Sequence, residues 1–343
     1  MTISNPAHLT LQTQGFIIRP PTVEDAQAVA RLASHCWRIE TNRPELGDAF
    51  SEHEIRMDWS EPGYDLTQQA CLVIAPDGEL VAVADQSSSA PHIKVSTWTH
   101  VHPDYYGQGI GTWLTQWHER QAGEFFRQAP DNVRLSITAS IPALHLSARA
   151  VLLEHGYHHY RTFSDMKIEL AGPPPTIVLP TGITISPIVE GQDEESLYRA
   201  KDEAFRDHVG WVETLFEEGF AKWLHSVRQN EYYDPALIYK AMDGDEIAGL
   251  LVGMAQDMED PEMGWIQILA VRRPWRKRGL GLALLQHSFA EFHRRGKLRA
   301  GLMVDSESLT GATRLYERAG MRVYNRFHAY EKEVRAGMDL VRK

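Results

Sequence analysis

The chain carries one glycine motif twice, and that duplication limits its possible folds more than any other feature. Residues 101–114 read VHPDYYGQGIGTWL and residues 271–284 read VRRPWRKRGLGLAL. Val101, Gly109 and Gly111 therefore fall on Val271, Gly279 and Gly281 at a spacing of 170 residues. Further on, ARAVLLEHGYHHY (148–160) answers ATRLYERAGMRVY (312–324) at a spacing of 164. The openings correspond too: FIIRPPTVEDAQAVARLA and ITISPIVEGQDEESLYRAKDEAF both read as a strand, a turn and a helix. A period of this length is that of an ordinary domain, so the 343 residues are expected to form two copies of one unit. Between Ala171 and Pro180 lie five prolines or glycines, the composition of a linker. The expected domains are residues 1–172 and 173–343.

The second copy shows the unit most clearly. Residues 238–242 and 247–252 flank an Asp-Gly turn signal and read as a hairpin. The run 264–271 is a third strand leading into the glycine turn, after which Leu282, Leu285, Phe289 and Phe292 recur at helical spacing. Residues 298–304 read as a strand, 310–320 as a helix stopped by Gly320, and 326–334 as a closing strand. The fold class is α/β, with a mixed, mostly antiparallel central sheet flanked by helices.

Composition removes several classes of function. A formal net charge of −11 argues against nucleic acid, whose binders carry a basic surplus. Two cysteines, Cys36 and Cys71, are too few for a disulfide framework or a thiolate metal site. The first residues lack the basic and apolar regions of a signal peptide, and no apolar run approaches a membrane span. The expectation is a cytoplasmic protein without a membrane partner, a monomer or a homodimer. His100 and His102 alternate along one strand, and His155, His158 and His159 cluster in sequence. With 16 histidines in the chain, these read as scattered surface imidazoles, and no metal is expected.

A strand, a Gly-x-Gly turn and a helix aim backbone N–H groups and a helix dipole at whatever lies above the turn. Arg276, Lys277 and Arg278 add positive charge beside Gly279, Leu280 and Gly281, and a pyrophosphate is the natural guest. Leu284 stands where a dinucleotide fingerprint needs its third glycine, and no Gly-Lys-Ser/Thr follows. Together with VDSESLTGATRLYERAGM downstream, this pattern resembles the GNAT superfamily of acyl-coenzyme A N-acyltransferases. The resemblance covers both halves and implies two tandem GNAT-like domains whose fourth and fifth strands splay apart. It implies acetyl-CoA as co-substrate, with its pyrophosphate on the Arg276–Gly281 turn and its pantetheine arm along Leu269, Ala270 and Val271. It places the general acid at Tyr316, and Ser308 where relatives often carry a cofactor-contacting Asn. The implied reaction is direct attack by the amine of a small molecule or peptide, in a ternary complex.

The copies are not equal. In the first, the turn is Gly107, Gln108, Gly109 and Gly111, with Tyr106 at the position of Arg276 and Leu152 at that of Tyr316. An aliphatic side chain donates no proton. The first copy is thus expected to be a degenerate coenzyme A cradle and the second to be catalytic. The second copy has no cysteine, which excludes a cysteine-bound acyl intermediate of its own. Gln267 replaces a common basic Glu, leaving His208, Glu213, Glu217 and Glu218 as candidate bases. Two alternatives stay open: a non-catalytic coenzyme A sensor or scaffold, and activity residing in the first copy through Tyr157 or Tyr160.

Overall fold

A computed structural model describes residues 11–172, 177–208, 210–308 and 311–341. It divides into two compact units, the first running to Arg161 and including Phe327–Leu340, the second being Thr162–Arg326 with Val341.

The first unit contains β1 (Ile17–Arg19), α1 (Ala26–Glu40), α2 (Glu52–Trp59), β2 (Ala70–Ile74), β3 (Leu80–Ser87) and β4 (Lys94–Val101). It continues with α3 (Ile110–Phe126), β5 (Leu135–Pro142) and α4 (Leu146–Glu154). A strand β6 (His158–Glu169) begins there and passes into the second unit, which holds β7 (Ile183–Pro187), α5 (Glu194–Phe205) and α6 (Phe216–Arg228). Next come β8 (Ile238–Asp243), β9 (Glu246–Met254), β10 (Met263–Val271), α7 (Leu280–Arg294), β11 (Arg299–Asp305) and α8 (Ala312–Arg318). Finally β12 (Arg322–Arg335) begins in the second unit and ends in the first.

Each unit thus takes a strand from the other repeat. In the first, Phe327 to Arg335 of β12 run antiparallel to Pro142 to Leu135 of β5. In the second, Phe163 to Glu169 of β6 run antiparallel to Asp305 to Arg299 of β11. The repeats read from the sequence meet at 172/173, whereas the compact units change over at 161/162 and 326/327. The physical reason is strand length. Strands of 12 and 14 residues extend roughly 40 Å or more, long enough for their two ends to serve different units.

Within each unit the strands named above pair antiparallel except at one place, among the described residues. β4 and β5 are parallel but paired only from Lys94–Ser136 to Thr97–Ala139. β10 and β11 are likewise paired only from Met263–Arg299 to Ile266–Leu302. Beyond those positions the strands part, so among the described residues the C-terminal halves of β4 and β10 have no strand paired to them on that side. In β10 the register against β9 also shifts between Ile266 and Ile268, which places Gln267 at the bulge. Hydrophobic stripes hold the helices over the sheets. In α7, Leu280, Leu284 and Leu285 enter a core with Phe289, Phe292 and Leu302. In α1, Val29, Ala33 and Cys36 are fully buried at spacings of four and three.

Candidate active site

The glycine turn that follows β10 has a specific backbone. Lys277 adopts φ +60° and Gly279 φ +87°, and Gly279 is the N-cap of α7. Left-handed dihedrals alternating with right-handed ones curl successive N–H groups towards one point and form an anion-binding concavity. Lys277, Arg278 and Gly279 are exposed, and a Cβ built on Gly279 meets nothing within 4 Å, so the space above the turn is open. Gly281 is needed for a different reason. A Cβ there would approach Leu315 Cδ2 of α8 to 3.0 Å, so glycine lets α7 and α8 close together.

The first unit repeats this backbone. Gly107 (φ +77°) and Gly109 (φ +85°) stand at the positions of Lys277 and Gly279, and Gly109 is the N-cap of α3. Cβ atoms built on either meet nothing within 4 Å, and Gln108 Nε2 donates to Asp104 O at 3.4 Å. The candidates therefore form two cradles, one per unit, each at the point where parallel strands part. Both have the open, donor-rich shape that a pyrophosphate requires.

Arg276 lies differently from the expectation of a free phosphate donor. Its Nη1 donates to Asp207 Oδ2 at 2.7 Å, Nη2 to Ala204 O at 2.7 Å and Nε to Val271 O at 3.0 Å. Asp207 also pairs with Arg273, and the two guanidiniums, Arg273 first, hold its carboxyl down at about 2. The guanidinium is thus committed to the end of α5, and a phosphate would compete with a fully ionised carboxylate for it. Lys277 and Arg278 are the cationic side chains at the mouth of the turn.

Leu269, Ala270 and Val271 lie beyond the pairing of β10 with β11, their other edge being paired with Leu251, Leu250 and Gly249 of β9, and the Val271 carbonyl accepts from Arg276 Nε. Ser308 follows β11, and its backbone N–H donates to Asp305 O at 3.1 Å. Tyr316 lies on α8 at 8% exposure, within the core that contains Leu280, Leu284 and Leu302. Burial alone pushes its phenol up to about 12, so it stays protonated at neutral pH. Of the candidate bases, Glu213 and Glu217 are exposed, as is Gln267 at the bulge. His208 is held below the ordinary imidazole value, by burial first and then by Arg276. Its electrostatic neighbours Arg276, Asp207 and Asp305 belong to the glycine-turn end of the strands, the end suited to phosphate.

The first unit contains a cavity of about 270 Å³ where β4 and β5 separate. Gly107, Gly109 and Gly111 line it at one end, and Trp37, Trp98, Glu40, His100 and His145 contribute elsewhere. Leu152 and Tyr157 also line it. His100 is not the surface imidazole expected from the sequence: it is 3% exposed and lies against Glu40. His102 instead stacks on His35, with ring centroids 4.8 Å apart. Cys36 Sγ, a Glu40 oxygen and a His100 nitrogen lie within 4.8 Å of one another, a spacing that fits a metal ion. The thiol, however, donates to Val101 O at 3.3 Å, and burial pushes its ionisation far up, so the anionic ligand form is disfavoured.

Sequence reasoning missed Glu40. A signal existed: Val29, Ala33, Cys36 and Glu40 follow at spacings of four, three and four, which sets a carboxylate on the apolar stripe of a helix. Its partners lie 60 and 105 residues away in sequence, where no local pattern reaches.

Comparison with known proteins adds independent support. The model of the acetyltransferase (GNAT) family matches residues 195–321. The chain is similar to a mycothiol acetyltransferase of Salinispora arenicola, 29% identical over 329 residues covering 91% of this chain and 94% of that protein. It is also similar to a GCN5-related N-acetyltransferase from Sphaerobacter thermophilus, 40% identical with a TM-score of 0.77, covering 94% of this chain and 97% of that one. A tandem GNAT protein from the clavulanic acid biosynthesis pathway shares the fold at 14% identity and a TM-score of 0.67, covering 93% and 98% of the two chains.

Proposed function

The chain belongs to the GNAT acetyltransferase family, and from that premise we propose that its second unit transfers the acetyl group of acetyl-CoA to the amine of a small molecule. The observation that carries this reading is the turn at 276–281. It pairs left-handed residues at 277 and 279 with an open mouth, at the parting of β10 and β11, in the unit that contains the buried phenol of Tyr316. Lys277, Arg278 and the N–H groups of the turn would hold the pyrophosphate, and the edge of β10 at Leu269–Val271 would hold the pantetheine arm.

In this scheme the amine nitrogen attacks the thioester carbonyl carbon, and a tetrahedral oxyanion forms against a backbone N–H. The carbon–sulfur bond then breaks while the Tyr316 hydroxyl gives its proton to sulfur. A phenol at about 12 is a weak donor to a thiolate whose ordinary value is about 8.5. The water-poor surroundings that raise the phenol would raise the thiolate as well, which narrows the gap. The amine loses its proton to solvent or to a base; His208 is neutral at pH 7 but sits among phosphate-end groups, and no base is assigned.

Tyr316→Phe tests the reading. The expected result is a 10²-fold or greater fall in kcat, the size of a general acid contribution, with acetyl-CoA binding by calorimetry unchanged. Full turnover by the variant across pH 6–9 would remove Tyr316 from the reaction. The acceptor panel should span amino sugars, polyamines, amino acids and desacetylated mycothiol, the last because of the relatives' name. A chain that binds acetyl-CoA yet releases no thiol with any acceptor would favour a sensor. The cavity of the first unit, lined by residues from Trp37 to Tyr157, favours a second reading, in which that unit also holds a ligand.

A further inference from the structure

The first unit's cavity holds a titratable cluster that the reaction above does not use. Glu40 closes α1 with a carboxylate only 2% exposed, its Oε2 3.1 Å from His100 Nδ1 and its Oε1 3.4 Å from His145 Nε2. A carboxylate only accepts, so Nδ1 of His100 carries the hydrogen, and the neutral ring presents a bare lone pair at Nε2. That Nε2 is buried, has no hydrogen-bond partner among the described residues, and belongs to a residue lining the cavity. Leaving a buried polar atom without a partner is costly, and native structures keep few such atoms. A carboxylate fixing one imidazole nitrogen while the other is left bare, on a residue that lines a cavity, is the arrangement of a general base.

We propose that the first unit is a second acyl-transfer centre, in which His100, oriented by Glu40, moves the proton of a primary amine attacking an acyl-coenzyme A thioester. The proposal rests on the family chemistry above but not on the second unit. The cavity favours such an acceptor. It contains one buried negative charge and two indoles, Trp37 and Trp98, and Trp98 lies edge-on to His100 at 4.7 Å. Buried negative charge and aromatic faces together attract an ammonium ion. Once solvent has taken the first proton, the amine nitrogen bonds to the carbonyl carbon and an N–H proton passes to His100 Nε2. The imidazolium is paired with Glu40. When the carbon–sulfur bond breaks, the same proton passes to sulfur, so amide and thiol leave with the ring neutral again. His100 thereby supplies the acid that Leu152 cannot.

The titratable groups around His100 are Glu40 and Cys36 from α1 and His145 from the start of α4, and Tyr106 of the glycine turn lies against His145 with ring centroids 5.7 Å apart. The Cys36 thiol, being protonated, leaves the pair as an acid–base device rather than a metal site.

The experiment uses the full chain with Tyr316→Phe, which removes the second unit's acid. The expected result is residual acetyl-CoA-dependent thiol release with primary amines, lowered 100-fold or more by adding His100→Gln. His100→Asn, compared at equal thermal stability, guards against a folding defect. A readout independent of turnover is the ring nitrogen spectrum of ¹⁵N-histidine-labelled protein. In the neutral ring it should show the proton on Nδ1 of His100 and a bare Nε2, and Glu40→Gln should abolish that preference. No residual thiol release in Tyr316→Phe overturns the proposal and leaves the second-unit reading intact. Full release in Tyr316→Phe that is lost on adding His100→Gln does the reverse. Unchanged release on adding His100→Gln, a proton on Nε2 of the neutral ring, or stoichiometric metal freed by acid denaturation would each overturn it as well.

Discussion

Tyr106 and Arg276 occupy one backbone position, with φ and ψ of −63° and 149° in the first unit and −65° and 157° in the second. Their side chains build different neighbourhoods. In the second unit the guanidinium bridges Asp207 and two carbonyls. In the first a phenol cannot bridge in that way, and the carboxylate that ends α1 is held by two imidazoles instead. The sequence made the exchange of Arg for Tyr legible, but not its consequence, because the compensating histidines are remote in sequence. His118 makes a testable case at the same scale. It is buried between Thr99 Oγ1 at 2.8 Å and Gln86 Oε1 at 3.0 Å, and burial pushes its imidazole down to about 3. Unfolded, it titrates near 6.5, so between those values the unfolded chain binds the extra proton. Its contribution is therefore present above pH 6.5 and lost as pH falls towards 3. The urea midpoint should drop over that window, and His118→Gln should flatten the drop; an unaltered acid limb would place the effect elsewhere.

Among the elements, those with local signals were read well. The hairpin expected at 238–242 and 247–252 is Ile238–Asp243 and Glu246–Met254, turning at Gly244 with φ +60°. The helix expected at 310–320 is Ala312–Arg318, ended near Gly320 at φ +93°. The closing strand, expected at 326–334, starts earlier at Arg322 and changes unit at Phe327, because where a strand finds its partner is set by non-local pairing. The glycine turns lend themselves to a paired test. A Cβ at a left-handed residue costs about 1–2 kcal/mol, so Gly279→Ala should lower stability by that amount and loosen acetyl-CoA binding. Lys277, at φ +60°, already bears that strain, which Gly107 avoids in the first unit. Lys277→Gly should leave thermal stability unchanged or raise it by up to about 1 kcal/mol, although it removes a charge from the mouth. Calorimetry on both variants separates backbone shape from charge.

For the whole molecule, duplication was visible in the sequence and the exchange of strands was not. No helix of the described residues is long and apolar enough to cross a membrane. The two-repeat reading divides the chain at 172, yet the first unit draws Phe327–Leu340 from the far end. Residues 1–172 expressed alone would leave the edge of β5 unpaired from Leu135 to Pro142, a template for aggregation. The expected outcome is a poorly soluble fragment, rescued by fusing residues 327–340 behind it through a flexible linker. A soluble, cooperatively melting 1–172 fragment would show that β12 is dispensable to the first unit.

That borrowing bears on how such a gene can change. A duplicate that loses its chemistry is ordinarily free to be trimmed away, but here deleting either repeat would strip the survivor of a strand. Inheritance must therefore keep both, and the copy under weaker selection remains in place, available for a new task.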